Sequence, residues 1–451
     1  MPAPIPRTAG SIAGSGDRAG PKPGLVLAAL CLGAFSFGTA EFSVMSFLPQ
    51  LARDMQVSEP RAGQFVSAYA LGVVVGAPSI TVLSAALPRR GLLVALLGWF
   101  AISTCLGAMA AGHGQMMAAR FAAGLPHGAY LGAAALAAAA QVGPRRRAWA
   151  VSRVFLGLTI ATLVGVPLAS WLSQALSWRS AFLVVSGLAT VSALLLVLAP
   201  GSPDPAGGRP WGELRALAKA QVWLTLAIGA IGFGGMFAVY AFLASTLTDV
   251  TRLEPHLVPV MFGVFGLGLT VGNIVAPSFA DRAPLPSAGA VLLWSLIALA
   301  IFPLAARSPV WVGIDVFLIG GSQALGVVLQ TRLMEVSGDA QALPAALNHS
   351  AFNIANAIGP AAGGVAISHG LGWTATGPVG AALAACGLLV WLFSTGLEHR
   401  RSGRGGSTGG TRGTRVPRTM PTPTPGAPGP GPGRIEPASA DRRENGRAGR
   451  F

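Results

Sequence analysis

The sequence predicts an all-α polytopic membrane protein of twelve transmembrane helices in two parallel six-helix repeats, on three observations. Of its 451 residues, 52% are hydrophobic and only 10% charged, with a mean hydropathy of +0.60. Apolar content so high and so evenly spread exceeds what a soluble core takes up. Apolar runs of about 20 residues recur along the chain, the helical length at which backbone polar groups satisfy one another across a bilayer without water. The second half also repeats the first: "LSWRSAFLVVSGLA" (176–189) aligns with "LGWTATGPVGAALA" (371–384), which places Trp178 over Trp373. In the same way "VVGAP" ending at Pro78 sits over "TVGNIVAP" ending at Pro277, and Pro167 lies close to Pro360. A period of half the chain marks a duplicated bundle, and parallel repeats of this kind rock about a midplane site.

Taken in order, residues 1–24 carry Pro, Gly and scattered charge but no tripartite signal, so they read as a disordered cytoplasmic segment. The first hydrophobic run lacks a small-residue cleavage site and is kept as the first span. Twelve spans are expected near 25–49, 61–87, 90–111, 114–141, 148–172, 179–199, 221–248, 256–280, 285–305, 309–334, 342–369 and 373–396. Residues 25–199 then form an N-terminal six-helix bundle, 200–219 a polar cytoplasmic linker, and 220–396 a C-terminal bundle. Pro78, Pro126, Pro167, Pro277 and Pro360 interrupt the spans. Membrane helices tolerate such breaks where neighbours re-satisfy the freed backbone groups. From 397 to 451 the chain is a Pro/Gly/Ser/Thr/Arg tract without apolar periodicity, expected to be a disordered cytoplasmic tail.

That tail holds eleven arginines against four acids, about half of the formal net charge of +15. A polybasic segment just beyond a last helix is explained by attraction to anionic lipid without invoking nucleic acid. Short-loop Lys and Arg residues fall mostly on one side, which puts both termini in the cytoplasm of a multi-pass protein of the inner (plasma) membrane. Cys31, Cys105 and Cys386 lie within expected helices and too far apart for a metal spacing. No phosphate-binding loop and no nucleophile or metal constellation is present, so neither a cofactor nor an enzyme is expected. The expected partners are a small-molecule substrate, protons and the lipid bilayer, with the chain a monomer and no nucleic acid bound.

Several stretches then carry a likeness. They are "GTAEF" in the first span, "YALGVVVGAP" in the second, "RFAAGLPHGA" in the fourth, "GVPLASWL" with "SWRSAF" across the fifth and sixth, and "NHSAFNIANAIGPAAGG" in the eleventh. The set resembles the major facilitator superfamily, in particular the twelve-helix drug:proton antiporter group and its arabinose-efflux-permease-like branch, which includes chloramphenicol exporters. The resemblance implies a secondary active transporter that exports a small drug-like or sugar-like molecule in exchange for protons. A proton-independent or uptake carrier of the same fold, with its acids structural, is the alternative. The superfamily's loop signature between spans 2 and 3 departs here: "GAPSITVLSAALPRRG" keeps Arg89 and Arg90 but lacks the Asp, whereas "GNIVAPSFADRA" after span 8 keeps Asp281 and Arg282. These four residues are the expected conformational latch, with the C-terminal loop doing more of the locking; as bare topogenic charges they would do none.

Ionisable groups inside a bundle are costly and mark ion or substrate pathways. Within the spans they are Glu41, Asp315, Arg120 and His127, which the resemblance places around one cavity lined by spans 1, 4, 7 and 10. Burial weighs against the charged form of an acid such as Glu41, so it can take and lose a proton as the cavity changes sides, and proton coupling is the favoured reading; the alternative is an acid held by hydrogen bonds that fixes spans 1 and 5. Arg120, Gly124 and His127 share one helical stripe, and the resemblance associates the arginine with proton transfer. His127 is a relay or a packing residue beside Pro126, and Asp315 faces the cavity or snorkels. Met45, Phe233, Phe237, Tyr240 and Gln323 are the expected substrate contacts. Gly165, Pro167, Gly359, Pro360, Gly363 and Gly364 resemble a helix-bending motif that lets spans 5 and 11 pack closely.

Overall fold

The computed structural model describes residues 23–84, 87–142, 146–199, 217–337 and 342–406, with residue 215. Among them every regular element is helical. The expectations for the N-terminal segment, for linker residues 200–214 and for the tail beyond 406 lie outside the described residues.

The helices fall where the apolar runs predict. They are α1 (Pro23–Ser46), α2 (Gln64–Leu83), α3 (Arg89–Ala108), α4 (His113–Ala140), α5 (Arg147–Ile160, Ala161–Gly165 and Val166–Ala175) and α6 (Trp178–Leu198). After the linker come α7 (Ala220–Gly232 and Gly234–Ala241), α8 (Val258–Val275), α9 (Pro284–Ala305), α10 (Pro309–Gly321 and Ala324–Ser337), α11 (Ala342–Ser368) and α12 (Thr376–Gly406). Among the described residues ten helices are long and apolar enough to cross a membrane. The other two, α4 and α11, have the length, at 28 and 27 residues, but not the hydropathy. Their deficit comes from Arg120 and His127 on α4 and from Asn348, His349, Asn353 and Asn356 on α11. The least lipid-like helices are therefore those whose polar residues turn inward, and hydropathy alone undercounts them.

Within the first six helices α2 packs along α4, α3 along α4 and α6, and α1 along α5 and α6; within the last six, α8 packs on α10 and α7 on α11. The two sets meet where α2 lies on α11 and α5 on α8. Small residues make these crossings close, as expected where lipid offers no hydrophobic drive and van der Waals packing must hold helices together. A side chain on Gly76 would run into the backbone of Leu125, and one on Gly124 into the Tyr69 carbonyl. Gly76→Leu is expected to lower the unfolding midpoint in detergent by several degrees, since overpacking costs about 1–3 kcal/mol. An unchanged midpoint would mean that α2 and α4 separate at no cost.

Helix α5 changes pitch before Pro167. Proline has no N–H and its ring crowds the carbonyl four residues back, and the ladder shifts to a π turn at Ala161–Gly165, with the Val166 N–H reaching the Ala161 carbonyl. That turn is where α8 approaches, for a side chain on Gly266 would meet the Thr162 carbonyl. Gly165 lies against Thr39 and Phe35 of α1, while Gly359 abuts the Gly234 backbone of α7. Pro360 stays inside α11. Gly363 faces Phe242 and Gly364 faces Pro60, at 3.3 and 3.4 Å from where a Cβ would stand. At this end of the bundle Ser245 donates to the Glu59 carboxylate and Phe242 covers Gly63. The first and last six helices are thus closed on each other at the Glu59 end.

Candidate functional site

Glu41, on the second turn from the end of α1, is 3% exposed. Its Oε1 accepts from Asn356 Nδ2 of α11 at 3.1 Å, and its Oε2 lies 3.9 Å from His127 Nδ1 of α4. The same Nδ1 is 2.9 Å from the Tyr69 hydroxyl of α2. Three helices from one half and one from the other therefore converge on a single carboxyl. The reading in which Glu41 fixes α1 to α5 is corrected: its hydrogen bond goes to α11, and α1 meets α5 instead through Gly38 against Leu158 and Ala161.

Arg120 is 1% exposed and stands beside the acid rather than on it. Its Nη1 donates to the Ala40 carbonyl at 3.0 Å and its Nε to the Phe65 carbonyl at 3.3 Å. The guanidinium carbon sits 4.2 Å from the centre of the Tyr69 ring. The planar fork thus bonds backbone on two helices while stacking on a third group, a task suited to Arg. Gly124 makes this possible, because its missing side chain lets α4 reach the Tyr69 backbone. His127 packs against Phe37 with ring centroids 5.1 Å apart. Desolvation and the nearby cation pull the protonation of Glu41 in opposite directions, the arrangement from which a proton carrier can be built. Among the described residues no group of three metal-ligating side chains exists.

Asp315 is buried, so it does not snorkel. Its Oδ2 has no partner among the described residues, and no hydrogen bond or ion pair joins it to Glu41. Of the expected substrate contacts, Met45, Phe233, Phe237 and Tyr240 are all buried. Phe237 and Tyr240 lie near Phe42 of α1, with centroids 6.3 and 6.1 Å away, and Phe233 and Phe237 sit edge-on to Phe352 of α11 at 5.1 and 5.0 Å. Gln323 lies at the break in α10, where it and Phe233 both flank Gly326, and its buried Oε1 has no partner among the described residues. The aromatic group thus spans both halves beside Glu41.

Of the four latch residues, Arg90 donates from Nε and Nη2 to the Leu196 and Val197 carbonyls at the end of α6, at 2.9 and 2.5 Å. Arg89 is half-buried, Asp281 and Arg282 are exposed, and none of the three forms an ion pair among the described residues. Tyr69, Phe42 and Phe352 do not stand out in the sequence, and Asn356 does so only as an amide of the kind that commonly hydrogen-bonds between membrane helices. Tyr69 had a signal, since it opens "YALGVVVGAP" at the depth of Arg120.

The profile of the Major Facilitator Superfamily matches residues 30–342. An inner membrane transport protein of Escherichia coli (strain K12), YdhP, is 37% identical over 374 residues, 82% of this chain and 95% of that protein. A chloramphenicol resistance protein of Streptomyces lividans is 33% identical over 375 residues, 81% and 93% of the two chains. The fold is also that of a crystal structure of a bacterial homolog to the human lysosomal transporter Spinster, in an inward-facing and occupied conformation. The TM-score is 0.61 at 16% identity, over 82% of this chain and 96% of that one.

Proposed function

The chain belongs to the major facilitator superfamily, and on that premise we propose that it is a secondary transporter exporting a small drug-like or sugar-like molecule in exchange for protons. It is a membrane transporter and not an enzyme. The observation that carries antiport is the buried Glu41 carboxyl, held at once by α11 and flanked by Arg120 and His127. An ionisable group in that position has no packing advantage over a neutral one and costs more to bury. Export is supported by the probable sugar efflux transporters among the relatives, and a drug-like substrate by the chloramphenicol resistance protein. An inner-membrane location, with both termini cytoplasmic, is supported by the E. coli relative and by the Lys and Arg bias of the loops. With that orientation the Glu59 end is the outer one, and the closure there by Ser245, Phe242 and Pro60 belongs to a state shut to the outside.

Inverted membrane vesicles with an imposed proton gradient, offered a compound panel that includes chloramphenicol and arabinose, test the reading. Uptake into the vesicles that collapses with the gradient is expected. Uptake indifferent to the gradient would replace antiport by facilitated movement.

The latch belongs to the same proposal. Because the loop before α3 lacks its Asp and Arg90 is already bonded within its own half, Asp281→Asn is expected to slow turnover more than Arg89→Gln does. Equal and small effects on the export rate would remove Asp281 from the latch.

A further inference from the structure

Among the described residues, of the groups that hydrogen-bond the Glu41 cluster only Asn356 comes from the last six helices. Arg120 bonds the backbone of Ala40 and Phe65, and His127 and Tyr69 bond each other, all within the first six. Asn356 is fully buried. Its Nδ2 donates to Glu41 Oε1 at 3.1 Å, while its Oδ1 has no partner among the described residues. A buried acceptor left without a donor calls for an explanation.

We propose that Asn356 reads the protonation state of Glu41 across the seam between the two halves and converts proton loading into movement of one half against the other. The inference rests on the proton-antiport reading above. A carboxylate only accepts hydrogen bonds, so ionised Glu41 can take the Nδ2–H but has nothing to offer Oδ1. A carboxylic acid carries one O–H to donate. Turned toward the amide, neutral Glu41 closes a two-bond ring with Asn356, Nδ2–H to one oxygen and O–H to Oδ1. The proton, taken from water on one side and released to water on the other, therefore adds a hydrogen bond between α1 and α11 when it arrives and removes it when it leaves. No other atom changes valence.

The seam is suited to such a reader. One residue beyond Asn356, Ser67 of α2 donates to the Ala357 carbonyl at 3.0 Å, a bond that does not titrate. At the same level α11 thus carries one constant and one proton-dependent tie to the first half. The ionisable groups around the pair are Arg120 and His127 from α4, Tyr69 from α2, Tyr240 from α7, and His349 of α11, which stacks on Phe155 and acts on His127 through its charge. Among the described residues none of these groups is hydrogen-bonded to Glu41 across the seam as Asn356 is.

The test needs no substrate. Spin labels placed at Leu83→Cys and Ser278→Cys, exposed positions at the end of the bundle opposite Glu59, report the separation of the halves in nanodiscs, with Cys31, Cys105 and Cys386 replaced by serine. On titration from acid to alkaline pH the distance distribution of the otherwise unaltered protein is expected to shift, and Glu41→Gln to abolish the shift. Asn356→Leu is expected to abolish it as fully, and Asn356→Gln, which keeps an amide, to retain part of it. If Asn356→Leu is not monodisperse, Asn356→Ala makes the same comparison. Asn356 variants that titrate like the parent, while Glu41→Gln does not, overturn the role of Asn356 and leave antiport standing. A parent that exports against the gradient in vesicles but shows no shift overturns the coupling alone; loss of gradient-driven export overturns the antiport reading itself.

Discussion

Glu41→Gln is expected to reduce gradient-driven export to background, a fall of about 100-fold at the upper end of ordinary coupling energies, while ligand binding stays measurable. The amide keeps the shape of the side chain and an oxygen that accepts from Asn356 Nδ2. What it lacks is a proton to exchange. A site transmits a gradient only if its protonation differs between inward and outward states, and an amide offers no such difference. If Glu41 served only to tie α1 to α11, the Gln variant would hold the helices as well and export as fast. Export and binding, measured on purified and reconstituted protein, separate the two. Undiminished export would send the proton by another route, with the buried Asp315, whose Oδ2 has no partner among the described residues, the next group to replace.

Much of this arrangement is legible in the chain before any coordinates. Apolar runs of span length fix the helices because a bilayer leaves the backbone few alternatives. Glu41, Arg120 and His127 stand out because charge is rare in such runs. Their mutual geometry is not legible: spacing places Arg120 and His127 on one stripe of α4, but only the crossing at Gly124 and Gly76 brings that stripe onto Tyr69. Asn356 is hidden for a different reason. Amides occur on many membrane helices as neutral glue, and nothing local distinguishes one that reaches a residue 315 positions away. Pro167 announces a bend in α5, but the π turn that it produces, and the approach of α8 to it, depend on packing between the halves.

The second large effect belongs to Arg120, where charge and shape can be separated. Arg120→Leu is expected to lower the unfolding midpoint and to abolish export, since it strips hydrogen bonds from two buried carbonyls, each loss costing about 1–3 kcal/mol, and removes the cation beside Glu41. Arg120→Lys keeps the charge. Yet a single ammonium cannot bond Ala40 and Phe65 from the edges of one plane while stacking that plane on Tyr69. With the fork lost, nothing holds the cation at a set distance from the carboxyl, nor Tyr69 in line with His127 Nδ1. Export by the Lys variant is therefore expected to fall by at least about tenfold, one pKa unit's worth of misplaced charge, with an unfolding midpoint closer to the parent than that of the Leu variant. The comparison is decided by melting curves in detergent alongside gradient-driven uptake into inverted vesicles. A Lys variant that exports at the parental rate would mean that a bare positive charge near Glu41 suffices, and that the guanidinium plane serves packing alone.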